Sequence, residues 1–298
     1  MQCLFTSPSM HSPYFVSMQT PFPSEPIINR WGNPEGDILF FVHANSYSSK
    51  MYQPFLEPLM NDHHIWAPDL PGHGESRWNG RIEAWADLAT YFIAQFEKSP
   101  PAKPMLAMGH SIGGIVIMLM AIQRPAWFSK IILLDPVMLP KRILTIFRVL
   151  KLLSLTHIIP LVKSAHRRKN HFQTRATALE HYSKKVIFSR WETRFLEAYV
   201  ETCLREDGQG TFQLSCAPQL ESSIYQSIPL NVWSLQRKLS TPALFIIGEK
   251  SDTVSQRGVE KLKRSRGNHI VRSIAGGHLF PFEKPIESMA IIKDYLAT

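Results

Sequence analysis

The stretch Gly109-His110-Ser111-Ile112-Gly113-Gly114 lies between two apolar segments, Pro104-Met105-Leu106-Ala107 before it and Ile115 to Ile122 after it. The first reads as a short buried strand and the second as a buried helix, so the chain must turn sharply from one into the other at the serine. A turn that tight tolerates little bulk, which accounts for the glycines on either side of Ser111. It also strains the serine backbone and pushes the hydroxyl clear of the sheet. The helix that starts there aims unpaired backbone N–H groups at the same spot, a natural seat for a developing negative charge. Few folds can hold such a junction, because it needs a strand buried on both faces with a helix returning directly over it.

The other strands agree with this requirement. Ile38-Leu39-Phe40-Phe41-Val42-His43 is a continuous apolar run, as expected inside a covered parallel sheet. His64-Ile65-Trp66-Ala67-Pro68, Lys130-Ile131-Ile132-Leu133-Leu134-Asp135 and Pro242 to Gly248 are the next strands, and His269-Ile270-Val271-Arg272-Ser273-Ile274 is the last. Helical spacing fills the intervals at Met51 to Met60, Ile82 to Phe96 and Ile286 to Leu296. Residues 1–28, rich in Pro and Ser, are expected to form a frayed end and one or two edge strands. The pattern stops at Pro136 and resumes at Thr241. The architecture predicted is α/β, a mainly parallel sheet flanked by helices. Residues 1–136 and 241–298 build its core, and an all-helical insert, 137–240, follows the sixth strand. Such an insert would cover the carboxyl ends of the strands, where open α/β sheets bind ligands.

Charge marks out the same segment. From Val137 to Ser240 there are sixteen Lys and Arg against seven Asp and Glu, a surplus of nine that equals the net +9 of the whole chain. No apolar run is long enough to span a membrane, and the first 29 residues carry no Lys, Arg or apolar signal core, so no secretory signal is expected. Cys3, Cys203 and Cys216 are odd in number and lack metal-ligand spacing. Free thiols in a reducing, cytoplasmic compartment are the expectation, with no metal site and no nucleic-acid module.

A serine hydroxyl becomes nucleophilic when a base removes its proton, and the base works when a carboxylate holds its tautomer. The base expected here is His278, in Ala275-Gly276-Gly277-His278-Leu279, a flexible loop just after the last strand. The carboxylate expected is Asp252, in Gly248-Glu249-Lys250-Ser251-Asp252, with Asp135 and Glu249 as rivals. The oxyanion would be held by the backbone N–H groups of Ile112 and Asn45, the latter in the loop His43-Ala44-Asn45-Ser46-Tyr47. His43, His73 and His110 read as structural hydrogen-bonders.

Taken together, these pieces resemble the α/β-hydrolase superfamily and, within it, the lidded esterase-like branch. The resemblance rests on Phe41 to Asn45, Asp69-Leu70-Pro71-Gly72-His73-Gly74-Glu75-Ser76, Gly109 to Gly114, Gly248 to Asp252 and Gly277 to Pro285. It covers the chain from about residue 38 to the end, apart from the insert. It implies hydrolysis of a small-molecule ester through an acyl-Ser111 intermediate with no cofactor, and it makes the insert a lid. Ala44 stands where many relatives carry glycine. The same constellation serves thioesters, lactones and carbon–carbon bonds, and a ligand-binding protein that has lost turnover is the rival from another class.

The segment Met138 to Val162 is basic and amphipathic, with Lys141, Arg142, Arg148 and Lys151 set among Ile, Leu, Val and Phe. One reading lays its apolar face on a pocket for an apolar acyl group and its charges in water. The other lays it on an anionic membrane surface. His166-Arg167-Arg168-Lys169-Asn170-His171 reads as a solvated basic face or as a seat for an anionic substrate group.

Overall fold

A computed structural model describes Phe22 and residues 25–298. The central sheet has seven strands: β1 (Ile28–Gly32), β2 (Asp37–Val42), β3 (His63–Pro68), β4 (Met105–His110), β5 (Phe128–Leu134), β9 (Ala243–Gly248) and β10 (His269–Ile274). Their order is β1-β3-β2-β4-β5-β9-β10, parallel throughout except for the antiparallel edge strand β1. β6 to β8 belong to the insert. Five described strands precede it rather than six; the second edge strand expected within residues 1–28 lies outside the described residues.

Both faces of the sheet are covered, which explains the unbroken apolar runs. Phe40 and Val42 pack with the helices Trp85–Lys98 and Ile112–Gln123. Leu39 and Phe41 point the other way, onto residues 51–59 and the closing helix Pro285–Leu296. Helix Ile112–Gln123 is apolar all round because it is buried all round. The expected helix Met51 to Met60 is instead a series of short turns, broken by Pro54 and Pro58, which cannot donate within a helix.

The insert is not all helical. Among its helices it carries a three-stranded antiparallel sheet, β6 (His171–Phe172), β7 (Leu204–Glu206) and β8 (Phe212–Leu214), in the order β6-β8-β7. The β7–β8 turn is Asp207-Gly208-Gln209-Gly210-Thr211. Gly208 and Gly210 sit at φ +81° and +78°, and Asp207 Oδ1 accepts from Gln209 N at 2.9 Å. This Asx-and-glycine hairpin chemistry outweighs helical propensity over so short a stretch. An aromatic cluster seats the insert on the core: Trp191 and Phe195 meet Phe282 at 4.5 and 5.3 Å between ring centroids, and Tyr199 meets Tyr47 at 5.8 Å. These rings are packed core.

Candidate active site

The strand order changes direction between β3-β2 and β4-β5, and the loops after β2, β4, β5, β9 and β10 all leave the sheet at one edge. Asn45, Ser111, Asp135, Ser251 with Thr253, and His278 follow these strand ends in turn. Residues from five strand ends, far apart in sequence, are therefore brought to one end of the sheet because the strands are parallel.

Ser111 adopts φ 59°, ψ −117°, a conformation that non-glycine residues rarely occupy. Its N–H is tied to Leu134 O at 2.9 Å, and the helix begins at Ile112. The glycines have a steric cause. A Cβ on Gly109 would stand 2.3 Å from Gly113 O, and one on Gly113 would stand 2.1 Å from Val42 O. The elbow helix thus approaches the start of the Asn45 loop as closely as backbones allow, bringing the Ile112 N-terminal turn beside that loop. The Asn45 side chain is buried and donates to Glu221 O of the insert at 3.3 Å.

His278 Nε2 lies 2.9 Å from Ser111 Oγ, and His278 Nδ1 lies 2.6 Å from Asp135 Oδ2. The expectation for Asp252 is corrected here: the carboxylate against the imidazole is Asp135. Asp252 is exposed to solvent and acts on His278 only through its charge. The physical reason is local. β5 ends at Leu134, and Asp135 turns at φ 42°, which aims its side chain inward. Its neighbours Ser251 and Thr253, rather than Asp252, face the same spot. They donate to Asp135 Oδ2 at 2.6 and 2.7 Å, and Gly248 N donates to Oδ1 at 2.9 Å. Glu249 takes no part in this cluster; its N–H pairs with Ile274 O.

The electrostatics follow from this packing. Burial alone would raise the Asp135 pKa, but the His278 hydrogen bond and charge and the two hydroxyls outweigh it, so the carboxylate titrates below its ordinary range. Burial pulls His278 down, yet the hydrogen bond to Asp135 and its charge lift the imidazole above its ordinary value. His110 is buried and, chiefly through burial, pushed down to about 3, so its ring is neutral. Its Nε2 sits 2.9 Å from His278 O and must carry the proton, which leaves Nδ1 to accept from Tyr52 OH at 2.6 Å. His110 therefore holds the His278 backbone. His43 is structural too: its Nδ1–H donates to Ala44 O at 2.7 Å while Nε2 accepts from Leu70 N at 2.9 Å.

Several supporting roles escape a reading of the sequence. Thr253 and Tyr52 lie outside the motifs, while Ser251 and Glu283 lie inside them with no role assigned. Glu283 Oε2 accepts from Gly277 N at 2.9 Å and braces the His278 loop. In the basic cluster, Arg168 is not a solvated charge. It is half-buried, pairs with Glu221 at 3.1 Å and donates to Tyr199 OH. Among the described residues no group of His, Cys, Asp and Glu is arranged to hold a metal, and no helix is long and apolar enough to cross a membrane. Cys203 and Cys216 are free and buried.

A sequence model of the alpha/beta hydrolase family matches residues 39–290. Human monoglyceride lipase is 28% identical over 135 residues, which are 43% of this chain and 44% of that one; the match spans less than half of the lipase. Ethanol acetyltransferase 1 of Wickerhamomyces ciferrii is 22% identical over 292 residues, covering 91% of this chain and 72% of that one. Among solved structures, E-2-(acetamidomethylene)succinate hydrolase superposes with a TM-score of 0.75 at 16% identity, covering 92% of this chain and 95% of the other, a likeness of fold.

Proposed function

The chain belongs to the alpha/beta hydrolase family, and from that premise we propose that it cleaves small-molecule carboxylic esters through an acyl-serine intermediate. The observation that carries the proposal is the continuous hydrogen-bonded line from Ser111 Oγ through His278 to Asp135, at 2.9 and 2.6 Å. Ser111 Oγ attacks the ester carbonyl carbon while His278 Nε2 takes its proton. Asp135 keeps the second proton on Nδ1 and stabilises the imidazolium that forms. The carbonyl oxygen gains the negative charge and is received by the N–H groups of Ile112 and Asn45. When the tetrahedral adduct collapses, the ester C–O bond breaks and the leaving alkoxide takes the proton from Nε2. Water then repeats the sequence with His278 as base, releasing the acid and restoring Ser111.

The insert 137–240 serves as a lid over this site, and the acyl group it covers is apolar. The monoglyceride lipase likeness supports that substrate class. Helix Lys141–Leu152 supports a membrane-directed outer face. Leu144 and Phe147 are buried, but Ile146, Val149, Leu152 and Leu153 point outward among Arg142, Arg148 and Lys151. The ethanol acetyltransferase likeness favours a second reading, in which an alcohol rather than water accepts the acyl group from Ser111.

The test is turnover of p-nitrophenyl esters of increasing acyl length, with and without added ethanol. Ser111→Ala should lose roughly 10⁴- to 10⁶-fold in kcat. Equal turnover by the variant would refute the serine mechanism. Ethyl ester formed in place of free acid would select the transfer reading.

A further inference from the structure

The insert and residues 81–83 of the core enclose a concavity of about 790 Å³ whose chemistry differs from that of the triad. Such a volume is within the usual range for a small-molecule site. Its floor is helix Pro218–Gln226, which turns Gln219, Ser222, Ser223 and Gln226 toward it. These positions fall at i, i+3, i+4 and i+7, one polar stripe on a helix whose Leu220 and Ile224 are buried in the core. Ser222 and Ser223 are buried; the Ser223 hydroxyl donates to Leu220 O at 2.8 Å, whereas the Ser222 hydroxyl accepts from Gln226 Nε2 at 3.2 Å and has its own proton to offer a ligand.

The rim is cationic, with Arg81, Lys151, Lys163 and Arg167, and His157 and His166 stand among them. Among the described residues Glu83 is the single carboxylate lining the bowl, and it already pairs with Arg81 at 3.2 Å. Lys151, Lys163 and Arg167 have no carboxylate partner among the described residues. Excess fixed positive charge over a floor that offers the Ser222 hydroxyl and the Gln219 amide suits a group with several acceptor oxygens and about two negative charges.

The same stretch that supplies Lys151, His157 and Lys163 also exposes Leu152, Leu153, Leu155, Ile158 and Leu161, and Leu152 is 79% exposed. Large apolar side chains interleaved with the cations of a bowl would be unfavourable around a freely soluble anion. They are favourable where the anion is anchored in an apolar phase.

We propose that this bowl receives the phosphate headgroup of an anionic lipid, with the surrounding leucines and isoleucines entering the membrane interface. The proposal rests on the membrane-directed reading of the insert's outer face and is independent of the chemistry at Ser111. Headgroup capture at this place would hold the insert on the bilayer from which an apolar ester is drawn.

The test is sedimentation of the full chain carrying Ser111→Ala with phosphatidylcholine vesicles containing either phosphatidic acid or phosphatidylserine, at equal surface charge. Phosphatidic acid vesicles should be preferred. Lys151→Ser with Lys163→Ser should weaken binding to them roughly thirtyfold, the loss expected for two membrane-facing lysines. Gln219→Trp, an exposed position that fills the bowl without altering charge, should abolish the preference while leaving charge-driven binding to both vesicles. Equal binding to the two vesicles by the parent chain would retain the membrane reading and overturn the bowl. So would a preference that survives Gln219→Trp. Binding of soluble glycerol 3-phosphate, lost in Gln219→Trp and unaccompanied by vesicle sedimentation, would overturn the lipid source.

Discussion

Replacing Asp135 by Asn keeps the side-chain shape and tests the proposed triad sharply. Asp135 Oδ1 accepts from Gly248 N at 2.9 Å, a donor fixed in the backbone. Oδ2 accepts from the Ser251 and Thr253 hydroxyls at 2.6 and 2.7 Å, donors that can rotate into acceptors. The new amide must therefore keep its oxygen on Gly248 and turn its NH₂ toward His278 Nδ1. A donor at that place forces the imidazole proton onto Nε2, the atom that has to accept from Ser111 Oγ. The base is then in the wrong tautomer while every heavy atom stays near its position. The expected loss is about 10⁴-fold in kcat/KM near neutral pH, or about 5.4 kcal/mol of transition-state stabilisation. Asp252→Asn removes only an exposed charge and should change kcat/KM by no more than about threefold. Steady-state hydrolysis of a short p-nitrophenyl ester measures both, with circular dichroism to check folding. A severe Asp252→Asn beside a mild Asp135→Asn would show this reasoning to be wrong.

Three further outcomes are expected. Because Asp135 lifts the His278 pKa and turnover needs the neutral imidazole, the acid limb of kcat/KM should lie above pH 6.5 and move down in Asp135→Asn; a limb below 6.5 in the parent chain would contradict the assignment. Tyr52→Phe leaves the buried His110 Nδ1 without its donor, and urea unfolding should register a loss of about 1–3 kcal/mol, whereas an unchanged midpoint would remove His110 from its bracing role. Gly113→Ala would ordinarily favour a helix by about 1 kcal/mol, but its Cβ would meet Val42 O at 2.1 Å, so several kcal/mol of destabilisation should appear in thermal melts.

Much of the fold could be read from local pattern because parallel strands covered on both faces must be apolar where they are covered, and β2, β5 and β9 advertise themselves in that way, whereas the edge strand β10 alternates. Ser111 was legible for a related reason: only glycines permit the approach of its helix to Val42, so the constraint is written in neighbouring residues. His278 was legible through its glycine-rich loop and its position after the last strand.

Other features depend on through-space relations that no window of sequence contains. Asp135 and Asp252 both follow strand ends. What separates them is the direction of one side chain at φ 42° and the donors that Ser251, Thr253 and Gly248 bring from a neighbouring strand. The small sheet of the insert depends on pairing β6 with β8 across some forty residues, a contact whose energy lies outside local propensity. Arg168 reads as one charge in a basic run until folding buries it against Glu221 and Tyr199. The bowl likewise exists only once Arg81 of the core, Lys163 and Ser222 are brought together. Backbone strain and hydrophobic period leave local marks on a sequence, whereas hydrogen-bond partners and fields of charge are set by distances that the tertiary structure alone establishes.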